Sequence, residues 1–140
     1  MKILVAVDGS EISSRAVKHV IALARAMAKP PKILVAAVDL PMLERVAVAI
    51  GAKAAAELHA ENTDHMLRPA RRMLGRAKLP FEELGRVGEI APTILKLARS
   101  EKADLIVMGS HGRGAVQGML LGSISARVLS QADRPVTIVR

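Results

Sequence analysis

The sequence opens with Ile3-Leu4-Val5-Ala6-Val7-Asp8-Gly9-Ser10, a continuous apolar run that stops at a carboxylate, a glycine and a serine. A strand that is covered on both faces needs apolar side chains at every position, whereas a half-exposed strand alternates. We therefore predict a buried strand over residues 3–7 with a turn at its carboxyl end. Similar runs predict three further strands, at Ile33 to Val38, Leu105 to Met108 and Val136 to Val139.

A helical pattern separates the first two strands. Apolar residues recur at helical spacing from Ile12 to Met27, with basic residues largely on the other face, and Pro30-Pro31 ends the pattern. A strand, a helix and a strand in close succession form the unit of a parallel sheet, because parallel neighbours need a crossover of a dozen or more residues.

The middle of the chain predicts two further helices. Residues 41–60 predict a helix with a soft boundary at Gly51, or an excursion before the helix begins. Asn62-Thr63-Asp64 is predicted to cap the next helix, which Pro80 closes. The mixed pattern of Phe81 to Val87 predicts a strand nearer the sheet edge.

The last third completes the alternation. Pro92 fits the first turn of a helix that leads into the strand at Leu105, and residues 124–132 have a helical pattern before the last strand. With the helical middle counted as one crossover, the predicted order is β-α-β-α-β-α-β-α-β, without a linker, a repeat or a low-complexity segment. We expect residues 1–140 to form a single α/β domain.

The charge balance suggests a nucleic-acid partner, and the composition argues against it. The chain has 21 Lys and Arg against 13 Asp and Glu, a net charge of +8, but Phe81 is its only aromatic residue. Base stacking on aromatic side chains is therefore excluded. The basic run on the third predicted helix is expected to be a solvated face, with a partner or nucleic-acid patch as the alternative; it comprises Arg68, Arg71, Arg72, Arg76 and Lys78.

Cysteine is absent, which excludes disulfides, thiolate metal sites and cysteine nucleophiles. The first apolar run is too short for the core of a signal peptide, and no run of about 18 apolar residues occurs elsewhere. We expect no membrane span and a cytoplasmic protein.

Ligands of open α/β sheets bind beyond the carboxyl ends of the strands. Three loops follow strands and carry polar or glycine residues: Asp8-Gly9-Ser10, Val38-Asp39, and the stretch from Gly109 to Ser123. Repeated glycines let backbone N–H groups converge on an anion, and Gly122-Ser123 delivers the chain to a helix N-terminus. This arrangement predicts a phosphate site; the alternative is a plain loop in which Ser123 only caps the helix.

Two familiar phosphate motifs are absent. A Walker loop ends in Gly-Lys followed by Ser or Thr, and this chain has no Gly-Lys pair. The dinucleotide fingerprint needs further glycines after the first strand, where Asp8-Gly9-Ser10 has one. A different phosphate-binding loop is therefore required.

Three blocks of the sequence together resemble the universal stress protein family. The arrangement Gly109-x-x-Gly112, nine residues, then Gly122-Ser123 is similar to the ATP-binding motif of that family. The opening block 3–10 and the closing Arg134-Pro135-Val136-Thr137-Ile138-Val139 match in order and spacing, so the resemblance covers nearly the whole chain. It implies the ATP-binding branch and a Rossmann-like α/β fold, an open five-stranded parallel sheet of order 3-2-1-4-5 with helices on both faces. It also implies a homodimer paired through the last strand, Val136 to Val139.

The resemblance implies a role for each loop. Read without it, Asp8 is a strand-end residue that caps the following turn. Gly114-Ala115 departs from the family pattern, which has a small polar residue followed by glycine at the apex of the loop. The implied contacts are Asp8 with the nucleoside, the Val38 backbone with adenine, Met108 and Gly109 with the ribose, and Gly112, Gly122, Ser123 and Ile124 with the phosphates.

The histidines give no catalytic pattern. No carboxylate or nucleophile stands at a spacing that would orient His111, so a loop histidine near the phosphates is expected rather than a general base. His19, His59 and His65 are predicted on helix surfaces. Any metal would be Mg²⁺ or Mn²⁺ brought by the phosphates, since such an ion needs few protein ligands.

Three functions are compatible with these residues. The first is a regulatory module of a stress response that binds ATP or another adenine nucleotide. The second is a slow ATP hydrolase that depends on Mg²⁺ or Mn²⁺, although no residue that would activate water is evident. The third is a non-catalytic dimeric interaction module that uses the basic face.

Overall fold

A computed structural model describes residues 1–114 and 118–140 of the chain. Its strands form one parallel sheet in the order β3-β2-β1-β4-β5, which confirms the predicted topology. The predicted strand bounds are correct to within one residue. The strands are β1 (Lys2–Ala6), β2 (Lys32–Asp39), β3 (Phe81–Val87), β4 (Leu105–Gly109) and β5 (Val136–Val139).

Helices cover both faces of the sheet. α1 and α3 pack on one face, and α4 and α5 pack on the other. The described part of the chain contains no helix that combines the length and the hydropathy needed to cross a membrane. The helices are α1 (Glu11–Ala26), α2 (Glu44–Ile50), α3 (Ala52–Ala77), α4 (Ile90–Ser100) and α5 (Ser123–Gln131).

The central strand β1 explains the unbroken apolar run that opens the sequence. Ile3 and Val5 face α1 and α3, while Leu4 faces α4 and α5, and all three are fully buried. Burying an aliphatic side chain of this size contributes roughly 1.5–3 kcal/mol. Both faces of the strand therefore stabilise the fold, as the pattern predicts.

The helical middle of the chain differs from the prediction. Gly51, with φ +87°, separates α2 from α3, and α3 then runs without interruption through Asn62-Thr63-Asp64. The predicted cap at these residues is wrong because their side chains bond elsewhere. The Thr63 hydroxyl donates to the carbonyl oxygens of His59 and Ala60, both at 3.1 Å, and the Asn62 amide donates to a carboxylate on β2. The backbone N–H groups of these three residues therefore remain part of the helix.

Local side chains account for two other helix starts, and the predicted place of Pro92 is confirmed. The Ser10 hydroxyl accepts the N–H of Ser13 at 3.2 Å and caps α1. Pro92 lies in the first turn of α4, where its missing N–H costs nothing. The two helices begin just after the carboxyl ends of β1 and β3, so both starts lie at the edge of the sheet that contains the candidate site.

Candidate functional site

A cavity of about 560 Å³ opens at the carboxyl ends of β1, β2 and β4. β2 lies on one side of β1 and β4 lies on the other, so the strand order reverses at β1. The connections after β1 and β4 therefore run in opposite directions and leave a cleft between them. Its volume is in the ordinary range of small-molecule sites. The structure brings all eight residues of the predicted site to this cavity: Asp8, Val38, Met108, Gly109, Gly112, Gly122, Ser123 and Ile124.

The backbone of Val38 faces the cleft. The Ala36 carbonyl accepts the N–H of Val7 at 2.8 Å, and the Asp39 carbonyl accepts the N–H of Gly88 on the opposite side at 2.9 Å. Backbone groups point to alternate sides along a strand, so those of Val38 point the same way as those of Ala36. Because β1 ends at Ala6, no strand lies opposite the backbone N–H and carbonyl of Val38 on that side. Val38 thus offers a paired N–H donor and carbonyl acceptor to the cavity.

Asp8 joins two loops. Its Oδ1 accepts the N–H of Ser10 at 2.9 Å, and its Oδ2 accepts the N–H of Arg113 at 3.0 Å. Burial raises the pKa of this carboxyl, but hydrogen bonds from Ser10, Ser13 and Arg113 lower it by more, so the pKa lies below its usual value. Each oxygen of a carboxylate accepts about two bonds, so Asp8 can accept a ligand hydroxyl as well as organise the loops.

Two glycines permit this close approach. A Cβ on Gly112 would lie 2.9 Å from Asp8 Oδ2, closer than side chains tolerate. Gly9 has φ +82°, and a Cβ there would lie 3.1 Å from Nη2 of Arg113. At Gly112 the glycine-rich loop therefore approaches the Asp8 carboxylate at a distance that favours glycine, and the positive φ of Gly9 favours glycine in the turn below it.

The start of α5 forms the opposite wall. The N–H of Gly122 donates to the Ser110 carbonyl at 2.7 Å, so it is used within the protein. Gly122 occupies the N-cap position, and Ser123 is the first helical residue, so the hydroxyl of Ser123 is not the helix cap. The N–H groups of Ser123 and Ile124 have no acceptor among the described residues. They are the groups that an anion would meet at the positive end of the helix.

Ser125 is a positioning residue that sequence reasoning missed. Its buried hydroxyl lies within hydrogen-bond distance of two carbonyl oxygens, Gly109 at 2.9 Å and Ser110 at 3.1 Å. It ties the end of β4 to the first turn of α5. Nothing in the local pattern distinguishes it from the exposed serines of the same helix, because its partners are more than ten residues away in the chain.

His111 also lines the cavity. Its Nδ1 shares a hydrogen bond of 2.9 Å with the Ser110 hydroxyl, while its Nε2 is buried without a partner in the described part of the chain. A buried polar atom without a partner costs free energy. A polar atom placed in the cavity would relieve that cost, and His111 lies in a loop as predicted.

Aliphatic and thioether side chains form the remaining walls. Met66 comes from α3, Ile90 and Ile94 from α4, and Met119 from the glycine-rich loop. None was assigned to the site from sequence, because an apolar residue on a helix fits the core equally well. Together with Met108 they offer an apolar slot without an aromatic ring.

The predicted surface position of His59 is wrong. Its Nδ1 lies 2.6 Å from Oδ2 of Asp39, and the two side chains are only 14% and 13% exposed. The Asn62 amide donates to the same oxygen at 2.9 Å. This cluster links α3 to the end of β2, and Asp39 lines the cavity beside Val38.

The basic run on α3 is partly neutralised. Arg68 and Arg71 both pair with Asp64, at 2.9 and 2.7 Å, and Arg71 also pairs with Glu83 on β3 at 2.7 Å. These hydrogen-bonded partners raise the pKa of Arg71 further above its usual range. Two of the five basic residues of the run therefore have acidic partners within the protein, which favours the interpretation of a solvated face.

Part of the glycine-rich loop lies outside the described residues. Ala115, Val116 and Gln117 belong to it, and with them the predicted departure at Gly114-Ala115. Gly114 itself is described and has φ +84°. The two ends of the loop, at Gly112 and at Gly122, are described and line the cavity.

Curated relatives match either the whole of this chain or a part of it. Universal stress protein MJ0531 of Methanocaldococcus jannaschii is 31% identical over 140 residues, covering 99% of this chain and 81% of that protein. A universal stress protein of Mycolicibacterium smegmatis is 49% identical over 55 residues, covering 39% of this chain and 19% of that protein. The chain thus spans most of the first relative and about a fifth of the second.

Solved structures share the fold. Protein MJ0577 of Methanocaldococcus jannaschii has a TM-score of 0.81 at 28% identity, covering 99% of this chain and 94% of that one. A universal stress protein in complex with cAMP has a TM-score of 0.68 at 29% identity, covering 100% and 96%. The sequence model described as the universal stress protein family matches residues 1–140. This chain therefore belongs to the universal stress protein family.

Proposed function

We propose that this chain binds an adenine nucleotide, with ATP as its ligand, and acts as a regulatory module in a stress response. The observation that carries the proposal is one cavity that combines the open backbone of Val38 with the free N–H groups at the start of α5. The first suits the edge of a purine and the second suits a phosphate. The related structure in complex with cAMP supports an adenine ligand.

The purine would lie in the apolar slot. Met66, Ile90, Ile94 and Met108 line it, and the N–H and carbonyl of Val38 match the acceptor and donor at the Watson–Crick edge of adenine. Apolar walls with a few convergent polar groups are typical of cofactor sites. The absence of aromatic residues from this wall means that aliphatic contact replaces stacking.

The phosphates would lie at the glycine-rich loop. The N–H groups of Gly112, Ser123 and Ile124 face no acceptor among the described residues, and the helix dipole of α5 favours negative charge there. Asp8 would accept a ribose hydroxyl from the floor of the cavity, beside Met108 and Gly109. A divalent ion, Mg²⁺ or Mn²⁺, would be held mainly by the phosphates themselves.

Calorimetric titration with ATP tests the purine end. Val38→Pro removes the cleft-facing N–H and spares the ladder to β3, whereas Val38→Ala keeps it and serves as the matched control. We expect Val38→Pro to weaken ATP binding roughly tenfold relative to Val38→Ala. Wild-type protein that neither binds ATP nor gains thermal stability from it would refute the proposal.

The phosphate end is tested with a second pair of variants on α5. Ser123→Ala removes a hydroxyl at the cavity, and Ser130→Ala removes one at the far end of the helix. We expect Ser123→Ala to weaken ATP and leave adenosine unchanged, and Ser130→Ala to change neither. Equal losses for ATP and adenosine would show that Ser123 supports the fold and does not meet phosphate.

The open edge of β5 supports a homodimer. The Pro135 and Val139 carbonyls bond toward β4, so the backbone groups of Val136 and Ile138 point away from the sheet. An edge strand with unpaired groups is a template for a second strand. Light scattering should find a dimer for the wild type and for the control variant Ile138→Val. Ile138→Pro removes an outward-facing N–H and should be a folded monomer. If the proline variant is still a dimer, the interface lies elsewhere.

The same proposal covers the domain and the compartment. Residues 1–140 would act as one universal stress protein domain, located in the cytoplasm. Cell fractionation tests the compartment, and mass spectrometry of nucleotide released on denaturation identifies the resident ligand. Recovery in a membrane or secreted fraction would contradict the cytoplasmic assignment.

A further inference from the structure

Asp39 is held from three directions at the end of β2. Its carbonyl accepts the N–H of Gly88, which fixes the backbone against the segment after β3. Its carboxylate Oδ2 accepts hydrogen bonds from His59 Nδ1 at 2.6 Å and from the Asn62 amide at 2.9 Å, both on α3. The side chain is therefore restrained to one rotamer, and only 13% of it is exposed.

One oxygen of this carboxylate remains available. Both side-chain bonds go to Oδ2, and Oδ1 has no hydrogen-bond partner among the described residues. Oδ1 is not among the fully buried polar atoms without a partner, of which His111 Nε2 is the one found in the described chain. Oδ1 is therefore not sealed off by the protein, and Asp39 as a residue lines the cavity. The cavity thus contains a fixed acceptor with unused capacity.

The position of this acceptor is next to the group that would read the purine. Val38, the preceding residue, directs its backbone N–H and carbonyl into the same cavity. Adenine carries an exocyclic amino group with two hydrogens, whereas guanine and hypoxanthine carry a carbonyl oxygen at the same ring position. A restrained carboxylate favours the amino group and repels the carbonyl.

We propose that Asp39 is a specificity-determining residue of this site: it accepts the second hydrogen of the exocyclic amino group, beside the one offered to the Val38 carbonyl, and so strengthens the selection of 6-aminopurine over 6-oxopurine nucleotides. His59 and Asn62 act as positioning residues that prevent the carboxylate from turning away. The inference rests on the proposed adenine-nucleotide function and deepens it. A site built to bond a ligand group rejects an analogue that cannot make the bond far more strongly than an apolar pocket does.

The test compares three ligands on two forms of the protein. Wild type and Asp39→Asn are titrated with ATP, with inosine triphosphate, and with purine riboside triphosphate, which has no substituent at the 6-position. The asparagine amide can face a carbonyl oxygen, so we expect the preference for ATP over inosine triphosphate to fall about tenfold. The affinity for purine riboside triphosphate should change less than about twofold, because this ligand has no 6-amino group to bond the carboxylate.

The control is Asp64→Asn, which removes the charge of a carboxylate that lies on α3 outside this cavity and pairs with Arg68 and Arg71. It should leave the preference unchanged. Equal weakening of ATP and purine riboside triphosphate by Asp39→Asn would overturn the inference, since it would reveal a purely structural role.

The failure of this inference is distinguishable from failure of the proposed function. If wild type binds ATP and inosine triphosphate equally, the specificity assignment fails and nucleotide binding stands. If wild type binds none of the three nucleotides, both fail together. A supporting variant is His59→Phe, which removes a positioning bond and should reduce the ATP preference without abolishing binding of purine riboside triphosphate.

Discussion

Asp8 Oδ2 accepts the backbone N–H of Arg113 at 3.0 Å and so joins the first loop of the chain to the glycine-rich loop 105 residues later. The other oxygen of the same carboxylate accepts the N–H of Ser10 at the cap of α1. One side chain thus links both loops at the mouth of the cavity.

Replacing Asp8 should lower stability before any nucleotide is added. Asp8→Ala loses both bonds and should reduce the free energy of unfolding by about 3 kcal/mol, the lower end for two hydrogen bonds to a charged group at about 1.5–3 kcal/mol each. Asp8→Asn keeps one acceptor oxygen and should lose less. Urea unfolding of ligand-free protein measures this; an alanine variant as stable as wild type would confine Asp8 to a ligand role.

Acid should weaken the hydrogen bonds by which Asp8 links the two loops. The pKa of Asp8 is lower in the folded protein than its usual value, so its contribution to stability is present above the usual pKa and is lost as the pH falls through the lowered native value. We expect the amide signals of Ser10 and Arg113 to titrate together in an NMR pH series. In Asp8→Asn this shared transition should disappear, and its persistence would assign it to another group.

Gly112 and Gly75 should respond in opposite directions to alanine. A Cβ at Gly112 would lie 2.9 Å from Asp8 Oδ2, so Gly112→Ala should cost about 1–2 kcal/mol as an overpacking change. A Cβ at Gly75 would meet nothing within 4 Å inside α3, so Gly75→Ala should gain about 0.5–1 kcal/mol. Thermal unfolding of the two variants checks the sign of each change.

Ser125 and Ser130 form a matched pair on α5. The buried hydroxyl of Ser125 is bonded to β4 and the loop after it, whereas the exposed hydroxyl of Ser130 donates to the Arg127 carbonyl of its own helix at 3.0 Å. Ser125→Ala should cost about 1–2 kcal/mol, and Ser130→Ala less than about 0.5 kcal/mol. Similar costs for both would mean that the link from α5 to β4 contributes little.

The strands and the place of the site could be predicted because their signals are local or geometric. The apolar run of Ile3 to Val7 requires burial on both faces, and parallel strands bring their carboxyl ends to one edge. Asp8, Val38 and Gly109 therefore had to lie close together once the strand order was known. The resemblance to the family supplied that order.

The missed features depend on partners that lie elsewhere in the chain. Asn62 has the chemistry of a helix cap, but Asp39 provides a better partner for its amide, and α3 continues. His59 has the pattern of a surface residue until β2 places a carboxylate beside it. Ser125 is one of several serines near α5, and only the end of β4 distinguishes it. A tertiary contact overrides a local preference in each case.

The central position of β1 has a consequence for biosynthesis. β1 is made first and can pair with β2 within the next few dozen residues, but its other edge is covered only when Leu105–Gly109 has been made. A nascent chain that stops between these points exposes an apolar strand edge, which is a template for aggregation. Ribosome stalling before β4 should therefore recruit chaperones to this chain, and stalling after β5 should release them.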